Sequence, residues 1–368
     1  MPRSGLIDGW RGVSITFVLI GHILFLRGYE LTRMRPLREL FSESIDWLAL
    51  FSNIAARVLA PMSITGVKVF FVISGFLITS LLLREEATTG RISLSAFYVR
   101  RAFRIIPAFS VFLVILYFLS QYGIVPIPRE KFVYAATFLC NVTNCSYGLG
   151  HIWTLSIEEQ FYLMWPLLFA LLGAARRTMW LTMASLLLLS LAFFRFLTVE
   201  WVNNPLYFAC IALGCLYAGS DRLRALISFA ACPWTMGVSM LVLIMFPFTA
   251  SWPLIQRSLD VLSPVCVAFI FFASFRPRSR VGSLVSAVVL QRLGLASYSL
   301  YLWQQIFTFP LDQHPQTEFM RSTVLIFVFA GASYYLIERP FIKFGHRLSR
   351  TIQSKQVSLI TAPPSAVT

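Results

Sequence analysis

The sequence predicts an all-α fold: a polytopic transmembrane helical bundle of about ten spans with both termini cytoplasmic. Three observations predict it. Of the 368 residues, 57% are hydrophobic and 13% charged, with a positive mean hydropathy, far from the composition of a soluble domain. Apolar runs long enough to cross about 30 Å of hydrocarbon recur along the chain. The net charge of +15 is carried mostly in short loops between those runs, where it reads as topology. No basic tract interleaved with exposed aromatics is present, so no nucleic-acid partner is expected, while an excess of cations at one surface favours an anionic ligand.

The first span, 13–27, follows a basic lead and so resembles a signal peptide. No small-residue cleavage site precedes Arg27 to Glu30, and the segment reads as an uncleaved helix. Further spans are expected at 66–83, 104–120, 152–172, 179–198, 205–219, 227–249, 258–275, 294–311 and 321–338. With the N-terminus inside, cytoplasmic loops carry Arg84, Arg91, Arg176, Arg177, Arg222, Arg224, Arg276 and Arg278, as the positive-inside rule requires. The first outer loop departs from it with Arg33, Arg35, Arg38 and Arg57, accompanied by Glu30, Glu39, Glu43 and Asp46. Ile45 to Ala60 is apolar enough for an interfacial or re-entrant helix. Residues 1–348 form one membrane domain, and the polar tail 349–368 is expected to be disordered and cytoplasmic. No internal repeat is evident, and no appended soluble catalytic domain is expected.

Three groups of residues could carry chemistry. An eleven-residue step places Arg11 and His22 on nearly the same face of the first helix, about 16 Å apart along its axis. Ionisable residues in a span must face protein or a hydrated cavity, so they are functional candidates by default. His22 can act as general base toward a hydroxyl. Arg11 either binds a phosphate or carboxylate, or snorkels at the interface. Arg100, Arg101 and Arg104 enter the third span at helical spacing and read either as a phosphate cradle or as a stop-transfer cluster. Glu158 and Glu159 enter an apolar helix about 100° apart, so one faces the interior, where it orients an imidazole or pairs with an arginine. Lys68 and Arg195 are further intramembrane cations without an assigned partner.

Cys140 and Cys145 flank a short polar turn and either form a disulfide or stay as thiols. Cys210, Cys215, Cys232 and Cys266 read as small packing residues. Four histidines without ligand spacing argue against a metal. No Walker loop, dinucleotide fingerprint or nucleophile elbow is found.

Leu6-Ile7-Asp8-Gly9-Trp10-Arg11-Gly12 with His22, the run Val69 to Ile78, the Arg101 and Arg104 pair, Trp153 to Tyr162, Ser297 to Trp303, and Glu338-Arg339-Pro340-Phe341 occur in one order. In that order they resemble the acyltransferase family 3 membrane proteins, over residues 6 to about 345. The resemblance implies a multi-pass O-acyltransferase of the inner (plasma) membrane. It would transfer an acyl group, commonly acetyl, from acyl-coenzyme A to hydroxyls of a carbohydrate or glycan. Membrane lipids are then partners, and the oligomeric state is not implied. The resemblance carries the family's arginine–histidine signature over to Arg11 and His22 and its paired arginines to Arg101 and Arg104. With these in place, Arg11, Arg101 and Arg104 are expected to hold the coenzyme phosphates, His22 to be catalytic, and Glu158 or Glu159 to orient that imidazole. In many members a histidine follows the Ser297 to Trp303 motif; Gln304 stands there in this chain, which weakens any role for a second base. A transporter or flippase of a glycan or lipid-linked intermediate is the rival, since buried ionisable residues also line such pathways.

Overall fold

A lipid-embedded chain keeps its backbone groups paired by forming helices or a closed barrel, and this one forms helices. The computed structural model describes residues 4–33, 44–125, 127–145, 148–195, 198–199, 202–249, 251–308 and 315–361. The helices are α1 (Ser4–Arg33), α2 (Ser44–Thr89), α3 (Leu94–Gln121), α4 (Arg129–Ala136), α5 (Ile152–Leu171), α6 (Ala174–Phe193), α7 (Asn204–Gly219), α8 (Asp221–Ala230), α9 (Pro233–Met245), α10 (Pro253–Ala273), α11 (Arg280–Val285), α12 (Val288–Leu295), α13 (Ser297–Phe307), α14 (Pro315–Ser333) and α15 (Arg339–Thr361). A two-residue antiparallel pair, Thr198–Val199 with Val202–Asn203, a 3-10 turn at Phe246–Thr249 and a π-helical turn at Tyr334–Glu338 complete the regular structure of the described residues.

Helix occurs within each of the ten segments expected from sequence. Among the described residues, five stretches are long and apolar enough to cross a membrane on their own: Gly5–Ile23, Met62–Thr89, Leu94–Gln121, Pro253–Ala273 and Thr323–Ser354. Segment 227–249 is not one straight helix: α8 and α9 meet at 96°, with Pro233 opening the second piece, where its missing N–H costs nothing. Segment 294–311 is divided at Ala296, between α12 and α13.

Three further expectations are corrected. Ile45 to Ala60 is not a separate re-entrant piece, because α2 runs unbroken for 46 residues, about 69 Å at 1.5 Å per residue. The tail expected to be disordered from residue 349 stays helical to Thr361; residues 362–368 lie outside the described residues, as do Arg35, Arg38, Glu39 and Glu43 of the first loop. Arg195 lies beyond the end of α6 in a left-handed conformation, φ 56°, rather than within a span. Cys140 and Cys145 form a disulfide. Cys210 and Cys215 are buried packing residues as expected, whereas Cys232 is exposed at the α8–α9 bend.

The core gathers around α1, which packs on α2, α12 and α13, while α2 packs in turn on α7. Glycines let these backbones touch. A Cβ on Gly12 would stand 1.9 Å from the Leu290 carbonyl oxygen, and one on Gly294 would stand 1.7 Å from that of Asp8. Trp10 Nε1 donates to Ser274 Oγ at 2.8 Å, tying the same end of α1 to the segment after α10. The stretch of α1 that carries Arg11 is therefore fixed by backbone contact. Gly294→Ala should destabilise the protein by about 3 kcal/mol, the upper end for overpacking, because the obstacle is backbone and cannot rotate away. Thermal unfolding in detergent checks this; an unchanged midpoint would show that α12 yields freely.

The intramembrane cation Lys68 has a partner that the sequence left unassigned. Its Nζ lies 2.9 Å from Asp260 Oδ1 and donates to Ser263 Oγ at 2.6 Å, joining α2 to α10.

Candidate active site

A cavity of about 290 Å³ opens among α1, α2, α3, α5 and α13. Its polar wall includes Arg11, Arg101, Arg104, Ser74, Glu158 and Tyr162, and the rest is largely apolar. Arg11 and the Arg101 and Arg104 pair, 90 residues apart in sequence, thus share one chamber. Arg100 does not join them. One helical position turns a side chain by about 100°, and the Arg100 guanidinium pairs instead with Glu85 Oε2 at 3.3 Å.

Two carboxylates balance part of this charge. Glu158 Oε1 accepts from Ser74 Oγ at 2.6 Å, and Ser74 Oγ accepts from the Tyr162 hydroxyl at 3.2 Å. The charges of Arg101, Arg11 and Arg104 all act on Glu158. The Arg101 guanidinium lies over the Tyr162 ring, 4.9 Å from its centroid, which fixes its plane. Glu338, 2% exposed, accepts from Ser299 Oγ at 2.8 Å and lies within the field of Arg104 and Arg11. It ends the π-helical turn, a departure from α geometry that is frequent at functional sites. Arg11 also pairs weakly with Asp8, at 3.9 Å.

His22 is elsewhere. It lies about 16 Å farther along α1 than Arg11 and is not among the residues of the cavity wall. Its Nδ1 is 3.2 Å from Gln304 Oε1. An amide oxygen only accepts, so Nδ1–H donates and Nε2 keeps its lone pair. The expectation that Glu158 or Glu159 orients this imidazole is corrected: Glu158 is engaged with Ser74 at the level of the arginines, and Glu159 Oε1 is buried without a hydrogen-bond partner among the described residues. Gln304, which stands where many members have a histidine and so weakens any role for a second base, is the residue that meets His22.

A chain of contacts runs from the cavity wall toward that level. Thr154 Oγ1 donates to the Tyr301 hydroxyl at 2.7 Å, which donates to the His151 carbonyl oxygen at 3.0 Å. The His151 ring is held between Gln305 Oε1, 2.9 Å from Nδ1, and the Leu302 carbonyl oxygen, 3.1 Å from Nε2. Sequence reasoning missed Ser74, Tyr162, Glu338 and Gln304 as site residues. Only Glu338 carried a usable signal, a carboxylate at the end of an apolar run; the other three are uncharged and become site residues only through their neighbours.

Chemically, three guanidinium groups in a partly apolar chamber suit a phosphate-bearing ligand with a slender organic arm. An imidazole whose Nδ1–H is held by Gln304 suits proton abstraction from a hydroxyl at Nε2.

Residues 5–338 match the family model described as an acyltransferase domain. A protein of Staphylococcus aureus strain COL, provisionally named an O-acetyltransferase, is 28% identical over 322 residues, covering 76% of this chain and 53% of its own length. A protein of the same provisional name in strain MSSA476 matches equally. O-acetyltransferase OatA of Staphylococcus aureus strain NCTC 8325 / PS 47 is 28% identical over 334 residues, which is 79% of this chain and 54% of that protein. The chain spans about half the length of the curated relatives it matches. No solved structure matches it.

Proposed function

Because the chain belongs to the membrane acyltransferase family 3, whose model it matches over residues 5–338, we propose that it is an O-acyltransferase using acyl-coenzyme A, most simply acetyl-coenzyme A, to modify a hydroxyl of a carbohydrate or glycan. The convergence of Arg11, Arg101 and Arg104 on one cavity wall carries this reading. Coenzyme A presents phosphates at one end and a thioester at the end of a thin arm, and guanidinium groups match phosphate oxygens in pairs. Arg101 and Arg104 hold the phosphates, with Arg11 beside them; Glu158 and Glu338 keep the three cations apart and oriented. His22 is the general base: its Nε2 takes the proton of the acceptor hydroxyl as the oxygen attacks the thioester carbonyl. In this reading Glu158 and Glu159 serve the cation cluster rather than the imidazole.

The same reading places the protein in the inner membrane with ten crossings and both termini cytoplasmic. The basic loops support that orientation. The Cys140–Cys145 disulfide supports it too, since it falls in the loop expected on the outer, oxidising side.

Glycans from cells with and without the protein, compared by mass spectrometry, should differ by acyl increments. Glycan movement without mass gain would replace the enzyme with a transporter. For the donor site, Arg101→Gln and Arg104→Gln should each raise the KM for acetyl-coenzyme A about 10-fold or more, the cost of losing a hydrogen bond to a charged group. A KM unchanged in both variants would remove the arginines from donor binding.

A further inference from the structure

We propose that Gln304 serves the transfer with both ends of its amide: Oε1 holds His22 in the tautomer that leaves Nε2 basic, and Nε2–H donates to the oxyanion that forms on the acyl carbonyl. The proposal rests on the acyl-transfer reading above and adds to it a residue that no part of that reading requires.

Three observations carry it. Gln304 is 0% exposed, so bulk solvent does not reach its polar atoms. Its Oε1 lies 3.2 Å from His22 Nδ1, while its Nε2 is buried with no hydrogen-bond partner among the described residues. An amide nitrogen left unpaired inside a protein costs about 1–3 kcal/mol, and such a group calls for an explanation. Because Oε1 is already bound to His22, the idle donor is fixed within one amide group of the base. The backbone beneath it is fixed as well: Gln305 Oε1 accepts from the His151 backbone N–H at 3.3 Å, and Tyr301 reaches the His151 carbonyl. The same helix, α13, supplies Tyr298, Tyr301 and Leu302 to the cavity wall, so Gln304 sits two residues from the chamber in which the donor is placed.

The step balances as follows. The acceptor hydroxyl oxygen bonds to the thioester carbonyl carbon while its proton passes to His22 Nε2, and the carbonyl π pair moves onto oxygen, where Gln304 Nε2–H receives it. Collapse restores the carbonyl, breaks the carbon–sulfur bond with its electron pair leaving on sulfur, and the imidazolium returns the proton to that sulfur as the free thiol. A donor placed on the developing oxyanion acts mainly in the transition state and so raises kcat rather than affinity.

The test uses inverted membrane vesicles carrying the full chain, radiolabelled acetyl-coenzyme A as donor, and alkali-labile label in the glycan fraction as readout, with detergent size-exclusion to certify folding. Gln304→Glu keeps an acceptor for Nδ1–H but removes the N–H donor. It should lower apparent kcat about 10²–10³-fold while the KM for acetyl-coenzyme A stays within about twofold. It should also move the acid limb of the pH profile to higher pH, because a carboxylate beside the imidazole favours its protonated, inactive form. Gln304→Leu removes both ends and should lose at least as much. Gln304→His restores one acceptor and one donor and should stay within about tenfold of the parent protein. Wild-type kcat in Gln304→Glu, or an unmoved acid limb in that folded variant, overturns the proposal while leaving the acyl-transfer reading intact. Absence of label with the unsubstituted protein overturns the acyl-transfer reading and this proposal with it.

Discussion

His22→Ala should abolish acyl transfer while leaving the protein folded. A positioned general base contributes about 10²–10⁴-fold, and two described candidates to replace it are otherwise engaged. Glu158 is committed to Ser74 and His151 is held between Gln305 and Leu302. The structural cost should be small, because the imidazole bonds only locally to Val18 and to Gln304 among the described residues, whereas α1 is anchored through Gly12, Trp10 and Gly294 at its other end. The expected pattern is loss of alkali-labile label from acetyl-coenzyme A with unchanged elution in detergent and unchanged donor KM in any residual turnover. Added imidazole should restore part of the rate. Label at the wild-type level would remove His22 from the chemistry and leave the arginine chamber without a base.

Lys68→Ala should be among the most destabilising single changes in the chain. The Nζ is paired at 2.9 Å with Asp260, bonded to Ser263 and placed 5.4 Å from the centre of the Phe246 ring; Lys68 itself is 3% exposed. Removing one member of a buried pair strands the other charge, at a cost of about 3–5 kcal/mol. Replacing both, as Lys68→Met with Asp260→Leu, should recover most of that loss, since two apolar side chains need no counter-ion. Thermal unfolding of the two variants decides it. Equal stability of Lys68→Ala and the parent protein would mean that Asp260 finds water or another partner.

Helix and its approximate placement were legible because the apolar runs are long and the cations between them are dense. The breaks within runs were less so: nothing in the composition of 227–249 or 294–311 separates a straight crossing from a bent one, and only Pro233 marks a start. Arg11, Arg101 and Arg104 each stood out because charge inside an apolar run is rare, and the structure brings the three to one cavity wall. Arg100, equally charged and one position away, is not separable from them by helical spacing alone; the resemblance leaves it out, and its pairing with Glu85 gives the physical reason. The orientation of His22 failed for a related reason. Carboxylates are the expected partners of imidazoles, so Glu158 and Glu159 drew attention, whereas the neutral Gln304, 282 positions along the chain, stood out only as a departure from the resemblance and carried no sign of contact with His22. Lys68 and Asp260 were each visible as costly charges, but their pairing across 192 positions is a fact of packing alone.

The π-helical turn at Tyr334–Glu338 interrupts the stretch Thr323–Ser354 without dividing it. One residue more or less rotates everything beyond it by about 100°. Val324, Phe327 and Val328, before the turn, face outward. After it, Phe341 stacks on Phe103 and Phe344 meets the same ring edge-on, while Arg339, Lys343, Arg347 and Arg350 recur at helical spacing along one stripe. The wide turn is therefore an indexing joint. It lets the rod set its exposed apolar side and its charged side independently, and it lodges Glu338 at the point where the two settings meet.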